Sequence, residues 1–152
     1  METIENEKLR VSLTRNSAAV HKIEDKHTGF VYDLVLPCEE DHLTVPSYAG
    51  NTVGSYAGRM ANAHLIIDGT DYQLDRTDRN ASLHGGLASL RREWDVLEVD
   101  GNSATYGVKL SHMEDGLPGN RTFTVRYILE GNELRTLSNE TVESTSAFNF
   151  ST

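Results

Sequence analysis

Two short glycine-containing segments hold the side chains best suited to chemistry. Arg59 closes the run Val53-Gly54-Ser55-Tyr56-Ala57-Gly58-Arg59, and His84 lies in Leu83-His84-Gly85-Gly86. Glycine permits backbone conformations and close approaches that a side chain would prevent, so both residues can be presented at the ends of β-structure. A guanidinium offers five donors in a fixed fork, and an imidazole donates, accepts or transfers a proton near neutral pH. This pair suits a neutral ligand that is rich in hydroxyl groups.

A predicted hairpin separates the two segments. His64 to Ile67 and Asp71 to Leu74 are strand-like runs on either side of Asp68-Gly69, a dipeptide that supplies the positive φ of tight antiparallel turns. A polar loop, Asp75 to Ser82, then leads to His84. We therefore expect the arginine and the histidine to form two walls of one pocket.

The remaining chain predicts strands joined by turns. Alternating apolar and polar residues, with turn formers between the runs, indicate strands at Lys8–Thr14, Ala18–Ile23, Phe30–Leu36, Trp94–Val99, Ala104–Leu110, Arg121–Leu129 and Glu133–Val142. Pro37 to Val53 lacks periodicity and is expected to form a loop over the site. No window of ten or more residues carries a helical stripe. The pattern is typical of an all-β sandwich, and a length of 152 residues favours one domain.

The same alternation predicts which side chains form the core. One face of each long strand is apolar, and its members are Tyr106, Val108, Leu110, Phe123, Val125, Tyr127 and Leu129. Trp94 and Tyr72 could stack on the ring of a ligand, but their places within alternating strands favour core packing. The loop that contains Asp115-Gly116 and Pro118-Gly119 is expected to be architectural.

Composition restricts the function. A formal net charge of −9 and a pI near 5.0 argue against nucleic acid, because phosphate binding needs clustered Lys and Arg. A single cysteine, Cys38, excludes an intrachain disulfide, and the start of the chain is unlike a signal peptide, so we expect a cytoplasmic setting. No apolar stretch approaches the roughly 18 residues of a membrane helix. We expect no metal site, because five histidines lack a ligand-like spacing: His21, His27, His42, His64 and His112.

The run from Val53 to Trp94 resembles the N-terminal signature of the aldose 1-epimerases, the galactose mutarotase family. The motif Gly-Arg-x-Ala-Asn-Arg and the Asp-Gly hairpin match Gly54 to Gly69 without a gap, and the Tyr-x-Leu strand, Leu-His-Gly-Gly and a tryptophan follow in order. The resemblance implies a β-sandwich of the galactose mutarotase-like supersandwich type, incomplete at its C-terminal side. It also implies that residues 1–152 are the N-terminal portion of a single domain. The implied activity interconverts the α and β anomers of a hexose without a cofactor.

By this resemblance, Arg59 holds sugar hydroxyls, and His84 binds and polarises the ring oxygen as a catalytic residue. Asn149 to Thr152 resembles the residues before the family's acid histidine, and the family's base glutamate lies far downstream. We therefore expect a chain that carries half of a sugar site and is inactive alone. Two departures from the motif, Ser55 in place of an arginine and Gly58 in place of an asparagine, leave galactose and glucose both open.

Several alternatives stay open at this point. Arg59 could simply pair with a carboxylate, and His84 could be a turn residue. A hexose-phosphate 1-epimerase relative would need more cations near the site, and Arg91-Arg92 is the nearby candidate, although we expect that pair to form a solvated turn. A non-catalytic carbohydrate-binding module is a further possibility. In each case exposed strand edges favour a homodimer.

Overall fold

The computed structural model describes residues 1–34, 48–87 and 92–143. The strands are β1 (Glu2–Glu5), β2 (Leu9–Thr14), β3 (Ala19–Asp25), β4 (Val31–Asp33), β5 (Arg59–Met60), β6 (His64–Ile67), β7 (Thr70–Gln73), β8 (Ser82–Leu83), β9 (Asp95–Val99), β10 (Ser103–Leu110), β11 (Arg121–Glu130) and β12 (Glu133–Val142). Short 3-10 turns lie at Ala61–Ala63 and Glu114–Gly116. The predicted all-β class is confirmed.

Two antiparallel sheets form the body of the fold. The first has the strand order β1-β2-β3-β4, and the second has the order β12-β11-β10-β9. Strand β1 was not predicted, because its four residues contain Ile4 as the single aliphatic side chain and therefore show no periodicity. In the structure Ile4 is fully buried, and Tyr106 of β10 donates a hydrogen bond to Glu2 Oε2 at 3.0 Å.

A large apolar cluster joins the two sheets. It contains Ile4, Val11 and Leu13 from the first sheet together with the predicted inward residues of β10 and β11. Alternation along β11 is complete from Arg121 to Leu129, so the predicted core face is confirmed. Trp94 also belongs to this cluster, as expected.

The core prediction for Tyr72 is wrong. Its side chain is only half-buried and lies outside both apolar clusters formed by the described residues. The reason is that Tyr72 belongs to β7, which pairs only with β6 in a two-stranded hairpin. Such a hairpin has few neighbours that could cover its faces.

A second, smaller apolar cluster lies near the glycine-containing segments. It is formed by Tyr56, Ala63, Leu74 and Leu117. The predicted Asp-Gly hairpin is confirmed, because Ile67 pairs with Thr70 across the turn. This cluster connects the hairpin to the segment that carries Tyr56.

Some predictions meet the limits of the described residues. The strand predicted at Phe30–Leu36 corresponds to β4, which pairs with β3, and its predicted end lies outside the described residues. Most of the loop predicted at Pro37–Val53 also lies outside them, as do Cys38 and the chain end after position 143. Among the described residues, no helix has the length and apolar character needed to cross a membrane.

Candidate functional site

The pairing of β5 with β8 brings the two predicted site residues together. Arg59 lies opposite Leu83 in this short antiparallel pair, so His84 is the next residue along the neighbouring strand. The His84 backbone N–H donates to the Gly58 carbonyl oxygen at 3.0 Å. The Gly58 N–H donates in return to His84 Nδ1 at 3.1 Å. The two glycine-containing segments therefore form adjoining walls.

The imidazole of His84 is held in a defined orientation. Because Nδ1 accepts a hydrogen bond from Gly58, the neutral ring carries its proton on Nε2. The ring of Tyr48 packs against it edge-on, with centroids 4.9 Å apart. Burial, and secondarily the positive charge of Arg59, lower the pKa of His84 below its ordinary value. The neutral imidazole, a donor at Nε2, is thus the main form near neutral pH.

Arg59 has one fixed contact and an open end. Its Nε donates to Asp78 Oδ2 at 2.5 Å, which bears out the expectation that a carboxylate could pair with it. Nevertheless 65% of the arginine side chain is exposed, and its two Nη groups donate no hydrogen bond to the described residues. A cavity of about 500 Å³ opens beside it, lined by Arg59, Ala61, Asn62, Asp78, Arg79, Asn80 and Ala81. The carboxylate therefore orients the guanidinium and leaves its remaining donors for a ligand.

Two of the glycines are required by close packing. A Cβ on Gly85 would overlap the Gly54 carbonyl group, and a Cβ on Gly86 would lie 2.5 Å from the Asp115 carboxyl carbon. Gly58 differs, because a Cβ there would meet nothing within 4 Å, although its φ of +84° favours glycine. Gly85 and Gly86 thus let one wall pack directly on the other and on the Glu114–Gly116 turn.

A buried arginine behind the walls was missed in the sequence analysis. Arg121 is 1% exposed and donates to Ser55 Oγ at 2.9 Å and to the Glu114 carbonyl oxygen at 2.7 Å. A signal was present, because the alternation that turns Phe123 inward also turns Arg121 inward. A charged residue on the core face of a strand predicts a buried polar network.

Of the Arg91-Arg92 pair, predicted to form a solvated turn, Arg92 lies in a bend with 40% of its side chain exposed, and Arg91 lies outside the described residues. The Arg92 guanidinium donates to the Lys109 carbonyl oxygen at 2.9 Å and to Glu114 Oε1 at 2.6 Å. These two hydrogen bonds anchor the exposed bend to β10 and to the Glu114–Gly116 turn. In the described ranges no group of three or more His, Cys, Asp or Glu side chains could hold a metal ion.

The architecture defines a galactose mutarotase-like β-sandwich. The structure of a galactose 1-epimerase from Lactobacillus acidophilus superposes with a TM-score of 0.84 at 25% identity, covering 97% of this chain and 46% of that chain. This likeness confirms the predicted fold class.

Sequence comparison identifies the family. The aldose 1-epimerase family model matches residues 2–152, and the chain belongs to this family. It is 33% identical over 100 residues to an aldose 1-epimerase of Haemophilus influenzae, covering 65% of this chain and 29% of that protein. It is 29% identical over 134 residues to the galactose mutarotase of Bos taurus, covering 86% of this chain and 39% of that protein. The chain thus spans less than half the length of these relatives.

Proposed function

We propose that this chain forms part of the sugar site of an aldose 1-epimerase that interconverts the α and β anomers of a hexose. The observation that carries the proposal is the contact between the two walls. Gly58 and His84 exchange hydrogen bonds, and Arg59 lies close enough to His84 for its charge to lower the histidine pKa. Arg59 lines a cavity of about 500 Å³, and His84 follows Leu83, the residue that pairs with Arg59 across the β5–β8 ladder.

Each residue has a distinct part in the proposed reaction. The Nη groups of Arg59 donate to sugar hydroxyls, and Asp78 fixes the plane of the guanidinium. His84 donates from Nε2 to the ring oxygen and polarises the bond between that oxygen and the anomeric carbon. The neutral imidazole allows both contacts at once, because Nδ1 accepts from the Gly58 N–H while Nε2 donates; a proton on Nδ1 would break the first of them.

Ring opening itself is a pair of proton transfers. A base removes the proton of the anomeric hydroxyl, the bond from the anomeric carbon to the ring oxygen breaks, and an acid protonates that oxygen. Rotation of the aldehyde and reclosure give the other anomer. No electrons are exchanged with another molecule, so the chemistry needs no redox cofactor.

We further propose that residues 1–152 are the N-terminal portion of a single domain and that this portion is inactive alone. The proposal is supported by the chain's 46% coverage of its structural neighbour. The acid and base of the family, by the resemblance, correspond to neither Arg59 nor His84. The chain alone would therefore bind a sugar weakly without accelerating its mutarotation.

Binding and catalysis can be measured separately. Galactose and glucose are titrated into ¹⁵N-labelled protein, and shifts of the Gly58, Arg59 and His84 signals report binding. Arg59→Gln and His84→Asn should each weaken binding by about tenfold, the worth of a lost hydrogen bond to a charged or well-placed donor. Arg135→Gln is the matched control, because Arg135 pairs with Glu130 at the surface of β12. No signal change at millimolar sugar, or equal effects of all three variants, would exclude the sugar site.

Polarimetry on freshly dissolved α-galactose tests the catalytic claim. We expect the buffer rate with this chain and a rate well above it when the chain is extended to the full family length. Acceleration by the chain alone would refute its proposed inactivity. Sugar binding without acceleration by the extended protein would instead favour a non-catalytic carbohydrate-binding module.

A hexose phosphate is the second candidate substrate. Arg79 lines the same cavity as Arg59, which places two arginines where an anion could bind. Arg92, by contrast, is already bonded to Glu114. Competition between glucose and glucose 6-phosphate distinguishes the candidates. Tighter binding of glucose 6-phosphate than of glucose, with this preference lost in Arg79→Gln, would favour the hexose-phosphate epimerase.

We also propose a homodimer through a strand edge, in a cytoplasmic protein. Among the described strands, β4 is an edge of the first sheet, and its neighbourhood exposes Phe30, Val31 and Tyr32. Sedimentation equilibrium should show a dimer that Val31→Lys converts to a monomer. The presence of one cysteine in the sequence agrees with a reducing compartment.

A further inference from the structure

Arg121 is a buried charge in an unusual place. It is the first residue of β11, it points to the same side as Phe123, and it is 1% exposed. Burial lowers the pKa of Arg121, while the nearby carboxylates of Asp115, Glu114 and Glu140 oppose that effect. A buried guanidinium is costly unless its donors are satisfied, so its partners show what it stabilises.

Those partners connect two segments of the site. One guanidinium nitrogen, Nη1, donates to Ser55 Oγ at 2.9 Å, and Ser55 itself is fully buried. The other, Nη2, donates to the Glu114 carbonyl oxygen at 2.7 Å. Arg121 therefore ties the segment that contains Gly54 and Ser55 to the Glu114–Gly116 turn.

The same turn supports the His84 segment. Asp115 is buried, and its carboxyl group lies directly against Gly86. Gly85 in turn packs on the Gly54 carbonyl group. The Gly54-Ser55 segment and the His84 segment thus both pack on elements that Arg121 connects by hydrogen bonds. Arg121 does not itself contribute to the lowered pKa of His84, whose causes are burial and the charge of Arg59.

Position 55 is where the motif that this chain resembles carries an arginine. In this chain the residue is Ser55, and the guanidinium of Arg121, the first residue of β11, lies beside it. We propose that Arg121 is a positioning residue that replaces the motif arginine, and that it holds the Ser55 segment and the Glu114–Gly116 turn so that His84 keeps its orientation. The consequence of this role of Arg121 for catalysis rests on the proposed function, whereas the effect of Arg121 on His84 does not.

An exchange of the two positions tests this directly. The single variant Arg121→Leu removes the guanidinium. The double variant Ser55→Arg with Arg121→Leu places a guanidinium in the same space, attached to position 55 instead of position 121. Arg126→Leu is the matched control, because it removes a positive charge from the same strand at a residue that contacts Ser103, Glu98 and Asp100 instead. The readouts are the NMR titration of the His84 imidazole and the thermal unfolding midpoint.

In Arg121→Leu we expect the His84 pKa to rise towards its ordinary value, since the wall that buries the ring loosens. The exchanged double variant should restore the lowered pKa, and the control should leave it unchanged. A folded Arg121→Leu protein with an unaltered His84 titration would overturn the proposal, because a purely structural arginine changes the unfolding midpoint alone. An equal rise in Arg126→Leu would overturn it too.

The single variant could also fail to fold, and the double variant then decides. Folding of Ser55→Arg with Arg121→Leu, with the His84 pKa lowered as in the parent, supports the replacement. Failure of both to fold contradicts it. No readout involves a sugar, so a chain that shows this coupling but binds neither galactose nor glucose would refute the proposed function and leave the positioning role intact.

Discussion

Gly85 lies directly against the carbonyl group of Gly54, so closely that a side chain at position 85 would overlap it. These two glycines come from separate segments of the chain, one before Arg59 and one after His84. Because this contact is between backbone atoms, the backbone sets the distance between the two segments. A change at either position therefore alters the geometry of the site as well as the stability of the protein.

Gly85→Ala and Gly58→Ala should differ sharply in stability. Both glycines have a φ of +84°, so both substitutions introduce the strain of a left-handed backbone, about 1 kcal/mol. Only Gly85 adds a steric overlap, because a Cβ on Gly58 meets nothing within 4 Å. We expect Gly85→Ala to lower the free energy of unfolding by at least about 2 kcal/mol more than Gly58→Ala does, as measured by urea unfolding. Equal losses would show that the packing of Gly85 on Gly54 is not tight in solution.

The His84 imidazole should titrate below its ordinary pKa. Since the folded state binds a proton less readily than the unfolded state, the contribution of His84 to stability is present above the unfolded pKa of about 6.5 and is lost as the pH falls through the lower folded pKa. Arg59→Gln should raise the folded pKa only in part, because burial is the larger cause. NMR titration of the ring measures both values, and Arg135→Gln serves as a control for removing a remote positive charge. A pKa at or above the ordinary value would contradict the buried, neutral ring.

Glu140 should make stability depend on pH in the opposite sense. It lies opposite Phe123 in the β11–β12 pair, and burial raises its pKa to about 7, although Arg121 opposes the shift. The folded state therefore holds a proton that the unfolded state releases, so this contribution is complete below the unfolded pKa near 4.5 and is lost as the pH rises to about 7. We expect a loss of about 1 kcal/mol after allowing for solvent screening.

The test for Glu140 is urea unfolding between pH 4.5 and 7.5. Glu140→Gln should remove this pH dependence, whereas Glu133→Gln, at an exposed position of the same strand, should retain it. If the free energy of unfolding varied with pH in the same way in both variants, groups other than Glu140 would cause the pH dependence.

Asp78→Asn should weaken sugar binding without a large change in stability. Asp78 orients Arg59 through a hydrogen bond at a site where 65% of the arginine is exposed, and exposed ion pairs contribute little to folding. We expect binding to weaken by about threefold to tenfold and the free energy of unfolding to change by less than about 1 kcal/mol. Titration with galactose, followed by NMR, gives the first value and urea unfolding the second. Asp33→Asn, which removes the exposed partner of Lys22, is the control. Unchanged binding would mean that Arg59 needs no carboxylate to hold its orientation.

The sequence by itself determined the β class and most strand positions, and it singled out the two residues that we propose for the site. Strict alternation from Phe123 to Leu129 defined a buried face, and Asp68-Gly69 defined a hairpin turn, because both signals depend on neighbouring residues alone. The glycines after His84 indicated close packing, which the structure shows for Gly85 and Gly86, whereas Gly58 beside Arg59 has no such neighbour. Local periodicity failed where an element was too short, as in β1 and in the β5–β8 pair.

Only the tertiary structure decided which groups meet. That Arg121 contacts Ser55 and that Arg92 contacts Glu114 depends on how distant strands are brought together, and no local pattern encodes such a pairing. The half-buried position of Tyr72 has the same origin, since burial depends on which elements cover a hairpin. Residue types set the chemistry available to this chain, and packing between remote segments set the neighbours, charges and exposure that give each side chain its role.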